Sequence, residues 1–104
     1  MIKTHLKKRI EMIIEAPLEI NIIDLFDELS VKGYTIIPAI FGRGQEGVWR
    51  GDGLISGAGQ MIVIVSILDP ARVEEILSRL YEFMKNRIGI ITISDVEVIR
   101  DEHF

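Results

Sequence analysis

The sequence predicts an α+β sandwich in which a four-stranded antiparallel sheet carries two helices on one face, in the chain order βαββαβ. Three observations lead there. Stretches of β-branched and other apolar residues flank two segments whose apolar residues recur at helical spacing. The strand–helix–strand plan occurs twice. Seven of the nine glycines fall between Gly42 and Gly59, separating the two halves. A chain of 104 residues has the length of one domain, residues 1–104.

In the first half, Leu6, Lys8, Ile10, Met12 and Ile14 alternate with Lys7, Arg9, Glu11, Ile13 and Glu15, a largely period-two pattern that predicts a strand. Pro17 suits the first turn of a helix, where its missing N–H costs nothing. Leu18, Ile22, Leu25, Phe26 and Leu29 then form one apolar helical face, and Gly33 is placed to end that helix in a left-handed conformation. Tyr34 to Phe41 reads as the second strand. Pro38 inside it predicts an edge, a bulge or an early strand end.

The second half repeats the scheme. Gln60 to Leu68 is nearly continuous Ile and Val, and Asp69 is a helix N-cap followed by Pro70. Val73, Ile76, Leu77, Leu80 and Met84 form the second apolar stripe, which Asn86 is placed to end. Ile88 to Ile99 is the last strand, with an interruption expected near Ser94-Asp95. Pro17 and Pro70 lie 53 positions apart, as do Lys32-Gly33 and Lys85-Asn86, which suggests a duplicated βαβ unit and hence a ferredoxin-like sheet. In Gln60 to Leu68 the apolar residues occupy both parities. Both faces of the sheet are therefore apolar, while only one can take the helices. This predicts self-association, as a trimer.

Composition narrows the function. A net charge of −4 and a pI of about 5.1 disfavour nucleic-acid binding, which rests on Lys and Arg at phosphates. With no cysteine, thiolate metal sites and thiol nucleophiles are excluded. No apolar run approaches the ~20 residues of a membrane-spanning helix. The basic stretch Met1 to Arg9 lacks the apolar core of a signal peptide, so the expected location is the cytoplasm.

Little points to catalysis. Ser30, Ser56, Ser66, Ser78 and Ser94 have no histidine–carboxylate grouping beside them. Glu19, Asp24, Asp27, Glu28, Glu74, Glu75 and Glu82 lie on the polar helical faces, as solvated charges do. His5 and His103, near the two ends of the chain, are weak metal candidates. The glycine-rich segment carries more. Gly42-Arg43-Gly44-Gln45-Glu46-Gly47 follows a strand without opening a helix, so it is neither a dinucleotide fingerprint nor a P-loop. It still combines closely approachable backbone N–H groups with a guanidinium suited to phosphate. Trp49, an indole in a polar loop, needs a packing surface, whether its own domain, a neighbouring subunit or a partner. Glycine density predicts that about Gly44 to Gly57 orders on binding. Lys85-Asn86-Arg87 before Gly89 either caps the second helix or offers a second phosphate contact.

Together these features resemble the PII-like signalling family. Lys32-Gly33-Tyr34-Thr35 matches its Gly-x-Thr element. Gly42 to Gly47 sits at its glycine-arginine-glutamine entry into the T-loop, here about residues 42–59. Asn86 to Val98 is similar to the end of its B-loop and last strand in divergent members. The resemblance implies a homotrimer that is not an enzyme and that binds AMP, ADP, ATP or cyclic AMP between subunits. It implies Gly33 and Thr35 near the base or ribose, and Gln60, Met61 and Ile62 beside the base. Gly42, Arg43, Gly44, Arg87 and Gly89 would lie near the phosphates, with Arg100 adding charge. Gln45, Glu46, Trp49, Arg50 and Asp52 would meet a protein target, such as the cytosolic face of a transporter. The loop is shorter than in nitrogen-signalling members and has no tyrosine for uridylylation. The B-loop lacks the full glycine-lysine pattern, which argues against triphosphate. The same architecture allows a CutA-like trimeric metal-binding protein using His5, His103 and carboxylates. An amino-acid-binding ACT-type domain fits a long glycine loop less well, and an RRM lacks its aromatic pattern here.

Overall fold

β1, His5–Glu15, is the centre of the sheet. It pairs antiparallel along its length with β5, Met61–Leu68, on one side and with β6, Gly89–Val98, on the other; β2, Thr35–Pro38, pairs antiparallel with β5. The order β2-β5-β1-β6, with α1 (Glu19–Glu28) and α2 (Val73–Met84) as the crossovers, is the ferredoxin-like arrangement expected from the sequence. The structure, a computed structural model, describes residues 1–44, 47–50, 60–102 and 104, with Trp49 and Arg50 in backbone only.

Strand alternation decides what the core contains. Ile10, Met12 and Ile14 of β1 and Ile62, Ile64 and Leu68 of β5 are buried in one cluster with Ile22, Phe26 and Leu29 from the first helical segment and Ile76, Leu80 and Met84 of α2. Phe26 packs on Tyr34 with ring centroids 5.3 Å apart. The buried hydroxyl of Ser66 donates to the Gly33 carbonyl at 2.6 Å, so the polar residue among these apolar ones is satisfied.

Both helices start as the prolines predict. A single tight turn, Ala16–Leu18 or Pro70–Arg72, precedes each, and Asp69 accepts from the Ala71 N–H at 3.0 Å. Their ends differ from expectation. Gly33 does not terminate α1. Ser30 does, at φ 56°, with the Val31 N–H reaching the Phe26 carbonyl and the Ser30 N–H reaching Asp27. Arg72 secures this end by donating to the Leu29 carbonyl at 2.5 Å and the Ser30 carbonyl at 3.3 Å. Asn86 is not left-handed either, since among the described residues Ser30 alone of the non-glycines has positive φ. The repeat therefore holds at the helix starts and not at their ends, and α2 is longer than α1.

The segment Tyr34 to Phe41 is not one strand. β2 stops at Pro38, on the sheet edge, where the missing N–H is harmless. The chain then forms a separate ribbon, β3 (Phe41–Gly44) with β4 (Gly47–Arg50), so the glycine-rich segment begins as paired strands. β6 shows no interruption at Ser94-Asp95. Its ladder with β1 is continuous from Gly89 to Val98, because Asp95 lies opposite Lys8 and forms an ion pair with it. Gly89 has a packing reason: a Cβ there would stand 2.7 Å from Met84 Cε, 3.0 Å from the Ile13 carbonyl oxygen and 3.0 Å from Ile14 Cγ2.

The helix-free face carries Ile13, Ile37, Val63, Val65, Ile67 and Ile90 by register, with Ile90 59% exposed and Ile37 46%. The apolar second face is thus real in the single chain. Among the described residues no helix is long and apolar enough to cross a membrane.

Backbone conformation and packing set the expected effects of three glycine-related changes. Ser30→Gly should raise stability by about 0.5–1 kcal/mol in urea unfolding, because glycine accepts the left-handed conformation without Cβ strain. Gly89→Ala should lower it by about 1–3 kcal/mol through overpacking. Gly33→Ala, which meets nothing within 4 Å, should change it by less than about 0.5 kcal/mol.

Candidate functional site

Across the sheet, Pro38, Ile62, Ile14 and Gly89 form one row. This row marks the end of the sheet where the glycine-rich segment leaves, and most of the expected nucleotide residues gather there. Gly42, Arg43 and Gly44 lie on β3, opposite Trp49, Val48 and Gly47, and Gly47 has φ 112°, a conformation that favours glycine. Arg43 is exposed and makes no ion pair with a described residue. The carbonyls of Gln60 and Met61 accept from the N–H groups of Ala16 and Ala39 at 3.0 and 3.1 Å, fixing where β5 begins. The Ile62 side chain is packed in the core, and its backbone is laddered between Ile14 and Pro38.

Arg87 approaches the same end from the other edge of the sheet. Its guanidinium carbon sits 4.3 Å from the Phe83 ring centroid while Nε donates to the Phe83 carbonyl at 3.1 Å. This orders the side chain at the end of α2. The helix-capping role expected of Lys85-Asn86-Arg87 is therefore performed by Arg87. It leaves the planar guanidinium exposed. β2 and β6 are separated by β5 and β1, so these two edges lie about 14 Å apart at three strand spacings. Arg43, on the ribbon that leaves beside the β2 edge, and Arg87, on the approach to the β6 edge, thus belong to opposite sides of one end of the sheet.

The remaining expected residues are elsewhere. Thr35, exposed at the start of β2, lies three residues from Pro38, about 10 Å along the strand. Gly33 precedes it. Arg100, beyond β6, is at the far end and is engaged by Glu102 at 2.7 Å. One chain therefore does not bring the whole set together. Gln45, Glu46, Asp52 and His103 lie outside the described residues, as do residues 51–57 of the segment expected to order on binding. His5 Nδ1 is 3.8 Å from an Asp101 oxygen, and no group of three or more metal-ligating side chains occurs among the described residues.

Sequence reasoning missed a second cluster at that far end. Lys7, on the helix-free face of β1, is only 7% exposed, and its ammonium contacts Asp101 at 2.6 Å and lies 5.1 Å from the Phe104 ring centroid. Lys32 donates to the Phe104 carbonyl at 3.5 Å. Alternation alone marked Lys7 only as a position opposite the core face, so nothing in the pattern distinguished it from a solvated lysine. The hydrogen bond from Lys7 holds the Asp101 carboxyl below the ordinary carboxylate range.

This ferredoxin-like sheet order and the paired glycine-rich root are those expected from the resemblance to PII-like signalling proteins. The family model described as nitrogen regulatory protein P-II matches residues 7–103, and the chain belongs to that family, one of regulatory proteins. CPII from Thiomonas intermedia K12, a nitrogen regulatory PII-like protein bound to ADP, AMP and bicarbonate, is 28% identical with a TM-score of 0.86, over 96% of this chain and 94% of that one. The same protein bound to ADP and bicarbonate gives 29% identity and a TM-score of 0.84, over 96% and 95%. A protein from Thermus thermophilus described as PII-like and signalling is 28% identical with a TM-score of 0.77, over 93% of each chain. A search of the curated proteins returns no match.

Because the Asp101 pKa is lower folded than unfolded, its contribution to stability is complete above the unfolded value near pH 4 and is lost as pH falls through the folded one. Urea midpoints of the parent and Asp101→Asn should therefore differ at pH 7 and converge as the pH is lowered below the unfolded value.

Proposed function

We propose that this chain is a non-enzymatic, nucleotide-responsive regulator that works as a homotrimer. The observation that supports this reading is that the ribbon carrying Arg43 leaves beside the β2 edge while Arg87 approaches the β6 edge at the same end of the sheet. A two-fold contact pairs a surface with itself, whereas a head-to-tail contact brings the β2 edge of one subunit to the β6 edge of the next. Three such contacts closing into a ring cover the apolar helix-free faces. Each cleft then receives Arg43 from one subunit and Arg87 from its neighbour.

The ligand is an adenine nucleotide, with AMP and ADP ahead of ATP and cyclic AMP because CPII binds the first two. Gly42 and Gly44 let the backbone come close to phosphate, and the two guanidinium groups grip its oxygens. Gly33, Thr35, Gln60, Met61 and the Ile62 backbone take the base and ribose side, with Arg100 at the cleft margin. The loop then reports occupancy to a protein target through Gln45, Glu46, Trp49, Arg50 and Asp52. A transporter's cytosolic face would place the protein in the cytoplasm, at the membrane through its partner.

The test is titration calorimetry with AMP, ADP, ATP and cyclic AMP, with and without bicarbonate, alongside sedimentation. Arg43→Ala and Arg87→Ala should each weaken the best nucleotide about tenfold to a hundredfold and leave the trimer intact, since one charge-assisted contact is worth about 1.5–3 kcal/mol. Mixing the two variants should restore part of the binding, because some clefts of mixed trimers hold both arginines. A stable monomer, or unchanged affinity in both variants, would sink the reading.

A further inference from the structure

The helix-free face changes character along β1. Towards the loop end it is apolar, with Val63, Ile13 and Ile90 side by side across three strands. At the far end it is already covered, because Asp101 and Phe104 of the chain's own tail lie against Lys7. Between these two regions the central strand carries an ion pair. Arg9 and Glu11 share the face of Ile13 by strand alternation. Arg9 Nη1 donates to Glu11 Oε2 at 2.9 Å, and the two side chains are 34% and 31% exposed.

Within one chain this pair is only partly satisfied. A guanidinium has five N–H donors and a carboxylate about four acceptor positions, yet one hydrogen bond joins them. The neighbouring strands bring no charge. Ile67 and Ser94 stand opposite Arg9, and Val65 and Thr92 stand opposite Glu11. Among the described residues, neither side chain makes an ion pair with any other group.

Glu11 is two residues from Ile13, about 7 Å along the strand. Covering the apolar region with another copy therefore takes water from the ion pair as well. A desolvated pair is stable only when its spare donors and acceptors find partners. The arriving face is the same face, so it brings one charge of each sign. A head-to-tail contact sets different residues of the two copies against each other, where a two-fold contact pairs a surface with itself. The charges of one copy are thus complementary to those of the next.

We propose that Arg9 and Glu11 form an intersubunit ion ring in the trimer, each Arg9 bridging its own Glu11 and the Glu11 of the next copy, with the signs alternating around the axis. The inference rests on the trimer reading and deepens it. Apolar contact alone lets the sheets slide along one another. The ring fixes their register, as complementary charges do at other interfaces.

The test is sedimentation of the full chain carrying Arg9→Glu, of the chain carrying Glu11→Arg, and of the two mixed in equal amounts, with fold checked by circular dichroism. Each reversal should raise the concentration for half-assembly at least about tenfold, and mixing should lower it again at least about threefold. Mixing restores opposite charges only across contacts between unlike variants. A pair confined to one chain gives no recovery, since each variant keeps like charges within itself whatever its neighbour carries. Should either reversal fail to fold, Arg9→Gln mixed with Glu11→Gln decides by the same recovery. Single variants that assemble as well as the parent, or an absence of recovery on mixing, overturn the ring while leaving the trimer reading in place. A parent that stays monomeric overturns that reading, and the ring with it.

Discussion

The structure depends on β1 being paired on both sides. Because β5 and β6 both ladder onto it, all three strands share its alternation, and a single choice of face propagates across the sheet. Ile10, Met12 and Ile14 set the core face; Ile13, with Val63 and Ile90 beside it, sets the other. A one-residue slip in either ladder would send Ile91 or Ile64 away from the helices. Gly89 marks how closely the layers meet at one end, since the Met84 side chain rests where a Cβ would be.

The same constraint explains why the candidate site is divided. A βαββαβ chain ends its two halves on opposite edges of the sheet, so the glycine-rich root leaves from beside β2 and Arg87 enters β6 from the other edge. Neither edge alone carries both arginines. In the proposed trimer the apolar helix-free face would supply the driving force for association, and the divided arginines a reason for its geometry.

The two ends of the sheet also differ in kind. At the loop end, polar groups sit on backbone that is already fixed: the Gln60 and Met61 carbonyls are engaged, and Arg87 is held against Phe83. At the far end, a buried ammonium is neutralised by a half-exposed carboxylate from a tail that has no ladder of its own. Electrostatic contacts of that sort hold a segment in place without making it part of the cooperative core.

The sequence by itself determined the element order, both helix starts and the core face, because proline, Asp69 and apolar periodicity act through local geometry. It also carried the family likeness in Gly33-Tyr34-Thr35, Gly42 to Gly47 and the last strand. It misjudged the helix ends, since a serine at φ 56° is tolerated only where Arg72 and the Phe26 and Asp27 carbonyls secure it. It misread Tyr34 to Phe41 as one strand because apolar content does not reveal where pairing changes partner. The Lys7–Asp101–Phe104 cluster joins residues more than ninety positions apart. Only tertiary structure decided that, because no local pattern records which charge will lie beneath which tail.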